Sequence, residues 1–422
     1  MDGKTLHIME TVDRLRDEIL DFTCRIVAEP STVGNEVPAL QVMEAELGKL
    51  GFDPVRVPLE PDLLSRHPGF APVPWPNEGR YNVVARREAS GAGGRSAIFN
   101  GHLDVVSPEP IASWKTDPFE PILEDGWLYG RGAADMKSGV AAMTYAVHAM
   151  EKAGFGLRAP VTLECVIEEE CSGNGTLACL LAGYDAEAVL IPEPFGPTIL
   201  TDQLGVLWFK VVIRGTAAHA LDVGSGNNAI EKGFILIAAL RELEKQMNEA
   251  AVSASFRGID HPLNLNIGSF AGGDWPSTVP AMAEFHGRMA FFPEMSYQEA
   301  CRRINEAIQG AARRDPWLSQ VPPVVEFYGL RSEGFSIPRD LPALITLNEC
   351  HRCLAGEDAE SLKLAATTDC RVFYHFGKGQ ATCYGARGKG IHAENECVDM
   401  ESVFHASKVY ALFLSRWCGL VD

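Results

Sequence analysis

Apolar residues spaced three and four apart, Val12, Leu15, Ile19, Phe22 and Ile26, predict a helix over residues 11–28. A similar stripe predicts another helix over 37–50. Short apolar runs predict strands at 81–86 and 95–106. A helix over 136–153, a strand over 161–167, a helix over 176–181 and a strand at Ala188–Ile191 follow. Buried strands alternating with helices imply an α/β fold, with a mostly parallel sheet covered by helices on both faces.

After Gln203 the texture changes. Residues 206–214 alternate between apolar and polar, the signature of a half-buried strand. A long helix over 228–248, strands over 263–268 and 281–289, a helix over 297–313 and a strand over 324–328 complete a separate module. Residues 207–335 are therefore read as an inserted α+β domain. It interrupts a discontinuous first domain made of 1–206 and 336–422. The first texture returns with a helix over 341–355, short strands near 363–366 and 380–384, and a closing helix over 403–417. The proline-rich segment 58–77 is read as a surface loop.

The chain has 422 residues, 46% of them hydrophobic and 22% charged, enough for a large core in two or three domains. Its formal net charge of −19 argues against a nucleic-acid or anionic-membrane partner. The amphipathic start has no apolar signal region, and no apolar run reaches the roughly 20 residues of a membrane span. The eleven cysteines are then read as reduced thiols in the cytoplasm. Cys350-His351-Arg352-Cys353 reads as two cysteines in one helical turn, with a redox or metal motif as the other reading.

Acidic and histidine residues recur at the ends of predicted strands. His102 and Asp104, in Asn100-Gly101-His102-Leu103-Asp104, share one side of an extended chain, where a carboxylate fixes the tautomer of a metal-binding imidazole. A structural His–Asp hydrogen bond is the plainer alternative. Asp135 follows the glycines of Gly130-Arg131-Gly132 and stands before a helix, where an N-cap is the plainer alternative. Glu168-Glu169-Glu170 closes an apolar strand. Adjacent carboxylates there repel one another unless a cation joins them, or they lie in a solvated loop. Glu193 sits between two prolines after Ala188–Ile191, and His392 lies far downstream among acids. In open α/β sheets, ligands bind beyond the carboxyl ends of the strands. Two histidines and three carboxylates beyond a base exceed the needs of one tetrahedral zinc, and suit two cations bridged by a carboxylate and a water.

These segments, in this order, resemble the zinc-dependent acetylornithine deacetylase, succinyl-diaminopimelate desuccinylase and carboxypeptidase G family. The likeness runs through Gly101-His102-Leu103-Asp104-Val105-Val106, Trp114 to Phe119, Gly130 to Lys137, Glu169-Glu170, Glu193-Pro194 and Ile391 to Glu396. It implies two Zn²⁺ per chain, with Co²⁺ or Mn²⁺ as substitutes. His102 and Glu193 would hold one ion, Glu170 and His392 the other, with Asp135 bridging. Asp104 would orient His102, and Glu169 would be the general base. His219 would reach a partner subunit's site as an oxyanion donor, through a lid that also forms a homodimer. Asn266 and Arg288 would bind a small substrate's carboxylate. The implied activity is hydrolysis of an amide-type C–N bond. An aminohydrolase, a dipeptidase or carboxypeptidase, and a non-catalytic scaffold are the alternatives. The family usually has Asp or Thr at Glu168, and a less basic loop than Gly385 to Gly390. Arg387 and Lys389 are accordingly expected to alter the substrate.

Overall fold

The structure is a computed structural model and describes residues 2–250 and 253–421; the outermost residues of the expected first domain, 1 and 422, lie outside it. A six-stranded sheet forms its centre, in the order Val55–Pro58, Tyr81–Arg87, Val161–Val166, Ala97–His102, Ala188–Ile191 and Gln380–Cys383. The first two pairings are antiparallel and the other three are parallel. From Ala97–His102 the chain crosses to one neighbour, Val161–Val166, and then back to the other, Ala188–Ile191. That reversal opens a crevice at the carboxyl ends of the strands.

Burial explains why these runs show little alternation. Every residue of Ala97–His102 and of Val161–Val166 is buried. The helix Ser138–Lys152 packs between the sheet and the closing helix Met400–Trp417, and all of its residues through Met150 are buried. Each apolar side chain so enclosed contributes about 1.5–3 kcal/mol. Gly139 permits the helix to approach the loop after Ala188–Ile191, since a Cβ there would lie 2.2 Å from the Pro192 carbonyl oxygen.

The expected first helix is two helices, Gly3–Arg14 and Arg16–Val27, parted at Leu15. The strand expected over 95–106 ends at His102, because the chain turns into the crevice there. Residues 58–77 are more than a surface loop. Ala71 is buried against Asn174, which bonds both its amide and its carbonyl, and Trp75 Nε1 donates to Glu168 at 2.9 Å. Two short strands, Val55–Pro58 and Ile199–Gln203, were not anticipated. Cys350 and Cys353 share the helix Pro342–Ala355, with Cys350 in the core.

Residues 205–332 form a separate four-stranded antiparallel sheet, ordered Leu265–Gly272, Met282–Phe291, Gly205–Arg214 and Val324–Ser332. The helices Ala229–Glu249 and Tyr297–Ala312 cover one face around Phe209, Val211, Phe285, Leu236 and Ile304. The alternation in Gly205–Arg214 turns Phe209, Val211 and Ile213 into that core and leaves Trp208, Lys210 and Val212 partly exposed on the other face. The register sets Asn266 opposite Arg288, Arg288 opposite Trp208, and Trp208 opposite Tyr328.

Behind the crevice, Glu164 is fully buried and accepts a hydrogen bond from Asn100 Nδ2 at 2.8 Å. Burial raises its pKa from 4.5 to about 8, against the opposing effect of Asn100. A carboxyl whose folded value lies above its unfolded one stabilises the fold fully at low pH, and the contribution is lost as pH rises to the folded value. Wild type should therefore lose stability relative to Glu164→Gln by up to about 1.4 kcal/mol per pH unit as pH rises from 5. The loss should level off above about 8. Urea unfolding of both proteins across this range checks it, and a constant difference would mean that Glu164 is ionised throughout.

Candidate metal centre

Three neighbouring strand ends deliver acidic or imidazole groups to the crevice. His102 is the last residue of Ala97–His102, Glu169 and Glu170 follow Val161–Val166, and Glu193 follows Ala188–Ile191. Asp135 arrives from the turn after Gly132, which adopts φ 80°, a left-handed conformation that suits glycine. Asp135 does not cap the following helix. Its own backbone is extended (φ −108°, ψ 96°), and its carboxylate faces two imidazoles instead.

The carboxylate of Asp135 is shared. Oδ1 lies 3.1 Å from His102 Nε2, and Oδ2 lies 3.4 Å from His392 Nε2. His392 Nε2 is also 3.0 Å from Glu170 Oε2. Ligand atoms of His102, Asp135 and Glu170 lie within 4.8 Å of one another, and so do those of His102, Glu169 and Glu193. All six residues expected to hold cations or act as base thus converge from distant stretches of chain.

His102 Nδ1 contacts the Asp104 backbone oxygen at 2.9 Å, while the Asp104 carboxylate stands 3.7 Å away. That carboxylate instead accepts the amides of Glu169, at 3.3 Å, and Glu170, at 3.1 Å. The sequence pattern led us to expect the carboxylate itself to orient the ring. The chain leaves the strand at His102, so the carbonyl takes that position and the carboxylate is free to organise the Glu169-Glu170 turn.

The charges are far from balanced. Burial pushes the pKa of Glu193 well above the usual carboxylate range, and the Asp135 charge adds to it. Burial does the same to Glu169, whose Oε1 is enclosed without a hydrogen-bond partner. For Asp135, hydrogen bonds from His102 and His392 outweigh burial and hold its pKa low. For His392, burial is outweighed by hydrogen bonds to Asp135 and Glu170, which raise its pKa to about 11. Both imidazoles face carboxylates, a setting in which a divalent cation would take the ring nitrogens in neutral form and offset the carboxylate charge. The donor set, two imidazole nitrogens and carboxylate oxygens around an orphaned Glu169 oxygen, fits two such ions.

Sequence reasoning passed over three supporting groups. Arg371, 4% exposed, places Nη1 3.9 Å from Glu169 Oε1, and Asp369 lies beside it at 3.5 Å. No periodic pattern marked it, since it sits in a short helix, Cys370–Phe376. Arg80 is buried between Glu36 and Glu168, bonding both. Glu168 also accepts from Ser172, Asn174 and Trp75, which fixes the start of the glutamate turn although Glu168 faces away from the cluster.

The remaining expected residues lie in or near the second sheet. His219 is exposed, and its Nδ1 accepts from the Leu221 amide at 3.0 Å; among the described residues no hydrogen bond or ion pair joins it to the cluster. Asn266 is exposed. Arg288 is half-buried, bonds the Ala365 oxygen at 3.4 Å, and has no carboxylate partner among the described residues. Burial lowers its pKa. Arg387 and Lys389 are engaged outside the cluster: Arg387 Nη1 lies 3.4 Å from Asp399, and Lys389 Nζ sits 3.7 Å from the centre of the Trp127 ring.

Residues 98–416 match the sequence profile of peptidase family M20/M25/M40. The chain is 26% identical over 98% of its length to an N-formyl-4-amino-5-aminomethyl-2-methylpyrimidine deformylase of Halalkalibacterium halodurans, covering 97% of that protein. It is also 26% identical to a succinyl-diaminopimelate desuccinylase of Polaromonas sp., over 95% of each chain. A di-peptidase from Saccharomyces cerevisiae superposes with a TM-score of 0.81 at 15% identity, covering 99% of both chains, a likeness of fold.

Cation binding to the folded chain alone should stabilise it. Zn²⁺ at about 100 times its Kd is expected to add about 2.7 kcal/mol. Thermal unfolding after chelation and after zinc repletion checks this, and an unchanged midpoint would mean that the cluster binds no zinc.

Proposed function

Because the chain belongs to peptidase family M20/M25/M40, whose members are hydrolases of amide-type C–N bonds, we propose that it is a di-zinc deacylase acting on a small carboxylate-bearing amide. The observation that carries this reading is the Asp135 carboxylate, set between two imidazoles with Glu169, Glu170 and Glu193 around it.

In this reading His102 and Glu193 would hold one cation and Glu170 and His392 a second, with Asp135 available to both. Two divalent cations there would make a shared water acidic and polarise the scissile carbonyl. Glu169 takes the proton from that water and hands it to the leaving nitrogen. Its burial supports the role, because desolvation raises its pKa and so strengthens the carboxylate as a proton acceptor. Arg371 holds the Glu169 carboxylate from behind. Asp104 supports both glutamates through their amides.

The second sheet, taken as an inserted lid over 207–335, supplies recognition. Arg288 has no acidic partner among the described residues, and so it is available to fork onto a substrate carboxylate, with Asn266 directly opposite. His219 serves as oxyanion donor in a partner subunit's site, which its exposed position supports. A homodimer through the lid is supported by its exposed apolar residues, among them Leu221, Trp275, Phe234 and Met282. A cytoplasmic setting is part of the reading, supported by eleven free cysteines; no helix among the described residues is long and apolar enough to cross a membrane.

The similarity to a deformylase and a desuccinylase points the assay toward N-formyl, N-acetyl and N-succinyl amines, and that to a di-peptidase adds dipeptides. Zinc-loaded protein should release a primary amine and a carboxylate from at least one of these classes. Ammonia release in their place would make it an aminohydrolase, and a fully loaded protein inert toward all of them would overturn the deacylase reading.

Glu169→Ala should bind the same amount of zinc and lose about 10²–10⁴-fold in kcat. Metal analysis alongside steady-state kinetics checks it, and an active variant would remove Glu169 as the base. Arg288→Ala should instead raise KM for carboxylate-bearing substrates with kcat nearly kept, since it removes binding common to ground and transition states. Equal loss on substrates with and without the carboxylate would refute the assignment.

A further inference from the structure

We propose that Glu396 and Arg131 are positioning residues that stitch the His392 loop to the Asp135 loop, so that the two cation positions fill as a coupled pair. The proposal rests on the dinuclear reading above.

Glu396 is 1% exposed and lies four residues after His392. Its Oε1 accepts the amides of Ala134 and of Asp135 itself, each at 3.0 Å. Its Oε2 accepts the Gly132 amide at 3.1 Å and Arg131 Nη1 at 2.5 Å. The backbone carbonyl of Glu396 takes the Gly130 amide at 3.0 Å. One side chain therefore fixes the whole turn from Arg131 to Asp135, including the amide of the bridging residue.

Arg131 returns the connection. Its Nη2 donates to the Ala393 oxygen at 3.1 Å, one residue beyond His392. It is 2% exposed, and its guanidinium carbon lies 5.1 Å from the centre of the Trp114 ring. The loop it holds is conformationally costly. His392 has φ 62° and Asn395 φ 58°, left-handed values at non-glycine positions. Such residues keep that backbone only where their surroundings over-determine it. Here the surroundings are Arg131 on Ala393, Glu396 on the Asp135 turn, and the Lys115 amide on Asn395 Oδ1 at 2.8 Å. Bringing His392 onto Asp135 thus depends on a buried ion pair that touches neither the imidazole nor the bridging carboxylate.

Stepwise zinc titration of the chelator-treated chain by calorimetry tests this, with no turnover needed. Wild type should bind two ions. Glu396→Gln turns one acceptor into a donor facing backbone amides, and should weaken the His392-dependent step by about 10–100-fold while far-UV circular dichroism stays unchanged. Combined with His392→Ala, Glu396→Gln should cost that step little more than His392→Ala alone; a general loss of stability would add in full. If Glu396→Gln does not fold, Arg131→Lys decides in the same cycle, because it keeps the charge and loses the fork. Additive penalties, or two unaltered steps, would overturn the proposal. Wild-type uptake of one ion or none would remove the dinuclear reading itself.

Discussion

Buried carboxylates of like charge cannot share a small space without compensation, and the catalytic half of this molecule is organised around that constraint. Asp135, Glu169 and Glu193 are all at most 8% exposed, and Glu170 joins them within a few ångströms. Two imidazoles offset part of the repulsion. The remainder falls on proton uptake, which is why Glu169 and Glu193 are pushed upward. A protein gains no stability from such a cluster, because desolvating several charges costs more than their pairing returns. Its existence is intelligible as a cost borne for cation chemistry.

Topology makes the convergence cheap in chain terms. Three parallel strands end side by side, and the switch between left and right neighbours of Ala97–His102 leaves a crevice that helices do not fill. Residues nearly 300 positions apart, His102 and His392, then meet one carboxylate. Several polar groups around the acidic cluster make more than one hydrogen bond each. Glu168 with Arg80, Ser172, Asn174 and Trp75 is one example, and Asp104 under two amides is another. Groups held by several bonds are rigid, and rigidity lets the groups with unmade bonds, such as Glu169 Oε1, stay in place.

What could be read from the sequence follows from where its signals are local. Strand and helix identities came from hydrophobic period, so most elements of both sheets were legible along the chain, with errors at the ends and without the edge strand Val55–Pro58. His102, Glu169, Glu170 and Glu193 were legible because each directly follows an apolar run, and a charged residue at the end of a buried strand is conspicuous. His392 follows no apolar run; it was noted only as a second imidazole far downstream among acids, and the family likeness gave it a role. Asp135 looked like a helix cap until its extended backbone showed otherwise. Arg371, Arg80 and Glu396 carried no mark as functional groups, because their meaning lies in partners 44 to 261 residues away. The same holds for the loop at 58–77, whose prolines signal a coil but not that Trp75 reaches Glu168.

The division of labour between the two sheets follows from their chemistry. A cluster of carboxylates and imidazoles specifies a reaction type, because cations activate water and polarise carbonyls whatever is attached to them. Cations held by such a cluster do not by themselves choose a substrate. The partly exposed face of the second sheet adds an arginine with no carboxylate partner among the described residues, a neighbouring amide and two aromatic rings in register: Arg288, Asn266, Trp208 and Tyr328. Binding energy from such groups affects rate only if they close on the reacting bond, so selectivity in this architecture depends on how the second sheet meets the crevice. Gly329 shows how near that meeting is. A Cβ there would lie 2.6 Å from the Trp208 ring and 3.1 Å from the Cys171 oxygen, one residue beyond Glu170. The second sheet therefore adjoins the glutamate turn at Gly329.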